Sequence, residues 1–213
     1  MDFSYWNQHQ SDVLMYLGQH IKLTLLTLGI ALIIAVPLGT LISRFPFLYT
    51  PIMAVLGFIY TIPSLALLAM LIPLVGVGLQ NALLALVAYA QFILVRNVVV
   101  GLRAVDPITI DAARGMGMTR WQILFRIEYP LALPVILGGL RIATVATIAV
   151  ATIGALVDAG GLGTMLFQGI DQAYQSEIIT GTIAVSLLAL SADILLRLAD
   201  RLLPATRART ARR

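Results

Sequence analysis

The sequence contains no cysteine, which excludes disulfides, thiolate metal sites and cysteine nucleophiles. Histidine is nearly absent: only His9 and His20 occur, and both precede the first long apolar run. A histidine-based cluster is therefore not expected, and neither a catalytic residue nor a metal ligand is assigned. Charge is scarce too. Of 213 residues, 11% are charged and 60% hydrophobic, and the mean hydropathy is +0.95. A soluble domain carries about 25% charged residues. With less than half of that, this chain cannot keep its exterior wet, and lipid must solvate much of it. Its length suits one domain, residues 1–213. The stretch Met1-Asp-Phe-Ser-Tyr-Trp6 lacks the basic region of a cleavable signal, and no small-residue cleavage site follows the first apolar run. The first span is expected to remain.

A membrane helix needs about 20 mostly apolar residues to cross about 30 Å of hydrocarbon. No ionisable residue lies between Lys22 and Arg44, which places span 1 at 23–42. The uncharged stretch from Phe45 to Val95 is too long for one helix. Turn residues Pro73, Gly76, Gly78, Gln80 and Asn81 divide it into span 2 at 52–72 and span 3 at 79–95. Pro63 falls inside span 2 and should kink or loosen it. A charged stretch from Arg96 to Glu128 follows, then span 4 at 138–156 and span 5 at 178–196. The expectation is an all-helical membrane domain of five spans.

Cations set the expected orientation. Arg44, the five arginines of Arg96–Arg126 and six near the C-terminus (Arg197, Arg201, Arg207, Arg209, Arg212, Arg213) fall on one side. The other side holds only Lys22 among cations, together with Asp2, Asp12, Asp158, Asp171 and Glu177. The N-terminus is expected outside and the C-terminus in the cytoplasm. The net charge of +4 is then a topological signal and a lipid-surface tail, not a nucleic-acid footprint.

Residues 103–130 form the substantial water-exposed segment, read as two short helices. Asp106 before Pro107 makes a cap followed by a first-turn proline. Gly117 can end that helix in the left-handed conformation. Thr119-Arg-Trp-Gln122 fits a capping box, and the second helix is expected to stop before Pro130.

Asp111-Ala112-Ala113, then three residues, Gly117, nine residues, Ile127, two residues and Pro130 resemble the "EAA" loop of ABC-importer permeases. Asp111 stands for the usual Glu and Tyr129 for the usual Leu. Longer stretches, including Tyr60-Thr-Ile-Pro-Ser-Leu-Ala-Leu67, Arg96-Asn-Val-Val-Val-Gly-Leu-Arg103 and Gly115-Met-Gly-Met-Thr-Arg-Trp-Gln122, extend the resemblance from about Leu17 to Ala199. There the chain is similar to permeases of osmoprotectant importers for glycine betaine, choline and carnitine. The methionine importers share this layout and are the alternative. The resemblance implies a multi-pass protein of the bacterial inner membrane, two permeases (identical or homologous), two cytoplasmic ATP-binding subunits that hold ATP and Mg, and a separate external substrate-binding protein. It implies no cofactor in this chain. It makes 103–130 the coupling segment, with Asp111, Ala112, Ala113, Arg114, Gly115, Gly117, Met118 and Thr119 as ATPase-coupling candidates. Short Ala112 and Ala113 side chains permit close approach, and Asp111 and Arg114 suit polar contacts at a rim.

Tyr60, Pro63, Ser64, Tyr89 and Phe92 are the candidates for the translocation pathway. Pro63 and Ser64 break a span where a lined cavity tolerates irregular backbone. The rings of Tyr60, Tyr89 and Phe92 can face a quaternary amine or simply pack. Arg141 is expected to snorkel, and Asp193 to pair with Arg197 one turn later. Asp158 suits either a cation at the external mouth or a solvated loop end. An ion-coupled secondary transporter, normally richer in spans and intramembrane relays, fits poorly, as does an intramembrane enzyme.

Overall fold

The computed structural model describes residues 4–202. The expected tail cations Arg207, Arg209, Arg212 and Arg213, and Asp2, lie outside the described residues. Among the described residues every regular element is helical. In chain order the α-helices are α1 (Ser4–Gln8), α2 (Gln10–Arg44), α3 (Tyr49–Thr61), α4 (Ser64–Val75), α5 (Leu79–Arg103), α6 (Pro107–Gly115), α7 (Arg120–Ile123), α8 (Tyr129–Ala151), α9 (Leu162–Asp171) and α10 (Gln175–Leu202). Four helices are long and apolar enough to cross a membrane, and α3–α4 form a bent pair that makes a fifth if counted as one span. The five-span, all-helical architecture stands. At 1.5 Å per residue α2 is about 52 Å long, so expected span 1 is only the middle of a helix that outruns the hydrocarbon.

Helix α5 lies at the centre. Half of its apolar stretch is buried within the chain, against 11% for α10. Between hydrocarbon-solvated helices there is little hydrophobic drive, so close backbone approach through small residues carries association. Ala31 and Ala35 of α2, Ala90 of α5 and Ala143 of α8 are all buried in one cluster. A methyl group added at Gly39 would strike Val98, and one at Gly139 would strike Asn97. α2 and α8 therefore flank α5 at small-residue contacts.

The α3–α4 pair corrects the expectation of a single kinked span 2. The two helices meet at 98°, far beyond a proline kink. Ile62 (φ −64°, ψ 130°) and Pro63 (φ −56°, ψ 135°) are both extended, because a proline ring pushes the residue before it out of the helical region. The freed carbonyl of Ile62 accepts a hydrogen bond from the Tyr89 hydroxyl at 2.6 Å. The expected turn after span 2 shrinks to residues 76–78. Pro73 stays inside α4, and Asn81 lies inside α5, where its Nδ2 bonds the carbonyls of Leu68 and Gly76.

Residues Arg120–Ala151 run as one continuous helical rod, so the second loop helix does not end before Pro130. A π-helical stretch at Leu124–Glu128 widens the turn just ahead of Pro130. The Tyr129 N–H bonds the Leu124 carbonyl, and the proline, which lacks an N–H, sits near the start of α8.

At the opposite end of the bundle, α9 is an element the sequence reading does not contain. Gly160 and Gly161 (φ 74° and 85°) turn the chain into it, and the Gly161 N–H bonds Gln19 Oε1 at 2.9 Å. Asp158 is exposed in the left-handed conformation, as a loop end. His20, expected outside the apolar core, is fully buried, and its Nε2–H donates to the Ile148 carbonyl at 3.1 Å. Glu177, counted with the solvated acids, is also buried. It accepts a hydrogen bond from Tyr5, and burial together with this carboxylate pushes the phenol above its ordinary pKa.

Gly163 sits directly on the Thr152 backbone, leaving no room for a Cβ, whereas a Cβ at Gly18 meets nothing within 4 Å. Gly163→Ala should lower stability by about 1–3 kcal/mol through overpacking, while Gly18→Ala should not. Thermal unfolding of the two variants in detergent checks the contrast.

Candidate functional site

The first candidate is the connection between α5 and α8. Asp106 caps α6 by accepting from the Ile108 N–H at 2.9 Å. α6 ends at Gly115, and Gly117 takes φ 80°. Thr119 and Gln122 form both hydrogen bonds of the capping box. These local features match the expectation. The eight coupling candidates divide by placement. Asp111, Ala112, Arg114, Gly115, Gly117 and Thr119 are exposed, Met118 is half-buried, and Ala113 is buried in the chain itself. Ala113 therefore offers no face to a partner. Asp111 and Arg114 pair with each other at 3.0 Å.

Ile108 and Met116, which the sequence reading did not single out, are 76% and 74% exposed. With Ala112 they fall at i, i+4 and i+8: Ile108 and Ala112 share one face of α6, and Met116 is the residue just past its end. Their signal was legible as apolar residues at helical spacing within the one charged segment. Large apolar side chains presented together on a polar element mark a contact surface.

This loop is held rigidly to the bundle. Glu128, only 3% exposed, receives both Nη atoms of Arg44 from the end of α2. Arg103 donates to the Ile42 carbonyl at 3.2 Å and lies over the Tyr49 ring at 5.1 Å. The Tyr129 hydroxyl hydrogen-bonds Thr40 Oγ1 at 2.7 Å. Sequence reasoning missed Glu128. Its signal was a lone acid flanked by apolar residues where a helix enters the bundle, which needs a cation from elsewhere.

The second candidate is a cavity of about 240 Å³ at the α3–α4 break. Tyr60, Ser64 and Tyr89 line it with Thr147. Pro63 and Phe92 do not line it. Pro63 makes the break, and Phe92 stacks on Tyr60 at 5.1 Å between centroids. Tyr60 and Tyr89 meet edge to face at 5.9 Å and 83°. The lining residues include no Asp, Glu, His, Lys or Arg.

Intramembrane charge is disposed of elsewhere. Arg141, expected to snorkel, has a partner on another helix. It donates through Nε and Nη2 to Asp193 Oδ1 at 3.0 and 2.8 Å, while Arg197 donates to Oδ2 at 2.7 Å. The expected Asp193–Arg197 pair is thus half of a three-residue cluster that ties α8 to α10. Removing one partner of such a pair leaves a charge unpaired in an apolar setting. Arg141→Leu and Asp193→Leu should each lower the melting temperature of the detergent-solubilised protein, and the double variant should recover part of the loss.

The chain is similar to known proteins over nearly all its length. The family described as "Binding-protein-dependent transport system inner membrane component" matches residues 28–204. The carnitine transport permease protein OpuCB of Listeria monocytogenes is 37% identical over 202 residues, covering 94% of this chain and 93% of that protein. The osmoprotectant import permease protein OsmW of Salmonella typhimurium is 43% identical over 183 residues, 84% of this chain and 85% of that protein. The glycine betaine/carnitine/choline transport system permease protein OpuCB of Bacillus subtilis is 34% identical over 190 residues, 89% and 88% of the two chains. A solved inward-facing structure of the MetNI methionine ABC transporter superposes with a TM-score of 0.78 at 24% identity, over 87% of this chain and 93% of that one. That likeness is one of fold.

Proposed function

The chain belongs to the family of binding-protein-dependent transport system inner membrane components, and from that premise we propose that it is the permease of an ATP-driven importer for quaternary-amine osmoprotectants: glycine betaine, choline or carnitine. The cargo class rests on the relatives named for these solutes at 34–43% identity. The methionine alternative has only the shared fold behind it. An ion-coupled mechanism finds no support in the pathway cavity, whose lining carries no carboxylate, histidine, lysine or arginine.

The observation that carries the mechanism is α6: a short capped helix, rigidly based, with Ile108, Ala112 and Met116 in an exposed row. In the proposed complex this row enters a cleft of a cytoplasmic ATP-binding subunit, with the Asp111–Arg114 pair at the rim. Two such subunits hold ATP and Mg, and this chain holds neither. A second permease, identical or homologous, completes the pathway, and an external binding protein delivers cargo. Closure of the ATPases pushes α6. Because α7 continues through the π-helical stretch into α8, the push reaches the wall of the cavity. The loaded binding protein favours the same outward-open state, so cargo and nucleotide bias one equilibrium. The N-terminus lies outside and α6 in the cytoplasm of a bacterium.

Gly117→Arg places a bulky cation in a left-handed position beside the docking row. It should abolish uptake and co-purification of the ATPase while leaving membrane insertion intact, and normal uptake would refute the docking role. The chain is free of cysteine, so single-cysteine variants report orientation directly. In intact cells a membrane-impermeant maleimide should label Gln172→Cys and spare Met116→Cys, and the reverse pattern would invert the topology. Uptake of labelled betaine, choline, carnitine and methionine at low and high osmolarity, with and without this chain, tests the cargo class.

A further inference from the structure

The lining of the cavity at the α3–α4 break is of two chemical kinds. One is aromatic: the rings of Tyr60 and Tyr89, nearly perpendicular to each other. The Tyr89 hydroxyl is occupied by the Ile62 carbonyl, so this side chain offers its ring and not its oxygen. The other kind is polar and includes Ser64, the first residue of α4. α4 begins without a side-chain cap, and its N-cap is a proline. The N–H groups of its first turn therefore have no acceptor, and the helix dipole leaves partial positive charge there.

A separate observation comes from α8. Thr147 lines the same cavity and is 5% exposed, yet its hydroxyl has no hydrogen-bond partner among the described residues. Its neighbour Thr144 behaves as buried helical threonines usually do, donating to the Leu140 carbonyl four residues back at 2.7 Å. Thr147 makes no such bond, and its oxygen is not one of the sealed unpaired hydroxyls, which are those of Thr24 and Thr27, so it stays accessible on a residue that lines the cavity.

No carboxylate lines the cavity. A bare cation entering it would find aromatic faces but no countercharge, and so would keep much of its desolvation penalty. A metal ion would find no ligand set. A molecule that carries its own anion would satisfy both kinds of lining at once, its anion held as half-helix N-termini hold anionic groups of substrates in other transporters. The volume of about 240 Å³ lies below the roughly 300–1,000 Å³ of drug-sized sites, which suits a small solute.

The geometry points to this cavity as a transient site for a carboxylate-bearing quaternary ammonium zwitterion, its ammonium against Tyr60 and Tyr89 and its carboxylate on the N–H groups at Ser64 and the Thr147 hydroxyl. The assignment rests on the osmoprotectant reading above and narrows it: glycine betaine and carnitine match both the aromatic and the polar lining, whereas choline matches only the aromatic one.

Uptake of radiolabelled glycine betaine, carnitine and choline by cells carrying the complete importer, at saturating concentration, tests the assignment. Thr147→Val keeps shape and burial but removes the donor. It should lower the maximal rate for betaine and carnitine by about tenfold and that for choline by less than about twofold, as for one lost hydrogen bond to a charged group. Thr147→Ser should retain the native rates, and Thr144→Val should leave the betaine-to-choline ratio unchanged. Tyr60→Leu should slow all three solutes, and Tyr60→Phe should not. Equal losses for all three solutes in Thr147→Val, no loss at all, or native rates in Tyr60→Leu would each overturn the site. If the native importer takes up none of the three, the cargo reading itself fails and takes this site with it. Uptake by the native protein with indifferent variants removes the site alone.

Discussion

Close contact of α2 and α8 with α5, made possible by glycine and alanine, is the interaction on which everything else in this chain depends. In lipid there is little gain from hiding leucine beside leucine, so backbones must approach until dispersion and polar contacts hold them. Gly39 and Gly139 permit that approach on the two flanks of α5. Once the three helices are fixed, Tyr89 on α5 stands where it can hold the Ile62 carbonyl, and Gln91 can donate to the Ala31 carbonyl at 3.1 Å. The broken span and the cavity beside it are consequences of that central packing.

Polar groups complete the same logic. Hydrocarbon supplies no hydrogen-bond partner, so a hydroxyl such as that of Thr144 bonds its own helix, while the larger polar side chains reach partners elsewhere in the fold. Arg141 finds Asp193, Arg44 finds Glu128, Asn81 finds two carbonyls and His20 finds Ile148. These pairs staple α8 to α10, the connecting loop to α2, and α5 to α4. They leave the cavity as a place where uncharged groups, some of them unsatisfied, face open space. Charges that hold the frame are kept away from the cavity, which is lined by aromatic rings, hydroxyls and a helix start.

The two candidate regions are joined by a single rod. The helix that starts at the capping box of Thr119 runs to Ala151 and carries Thr147 near its far end. In the proposed complex, a push received at the connecting loop would travel along this rod to the wall of the cavity. The π-helical turn at Leu124–Glu128 is the one irregular point along it, and Glu128 clamps that point to α2.

The chain's sequence by itself determined what depends on neighbours along the chain or on composition. Apolar length decided that spans exist and roughly where, although the ends moved: α5 runs on to Arg103, past the expected 95, while α8 stops at Ala151, short of the expected 156. The cap at Asp106, the left-handed Gly117 and the capping box at Thr119 were legible because each is a bond within three residues. The i,i+4 pair of Asp193 with Arg197 was legible for the same reason. Tertiary structure alone decided the rest. Proline at 63 announces a disturbance but not its size, and a right angle arises only where Tyr89, 27 residues away, holds the freed carbonyl. Arg141 and Asp193 are 52 residues apart, and Arg44 and Glu128 are 84 apart, so no local spacing could pair them. Burial of Ala113, His20 and Glu177, and the free hydroxyl of Thr147, belong to the same class: periodicity tells which side of a helix a residue occupies, while packing chooses what that side will face.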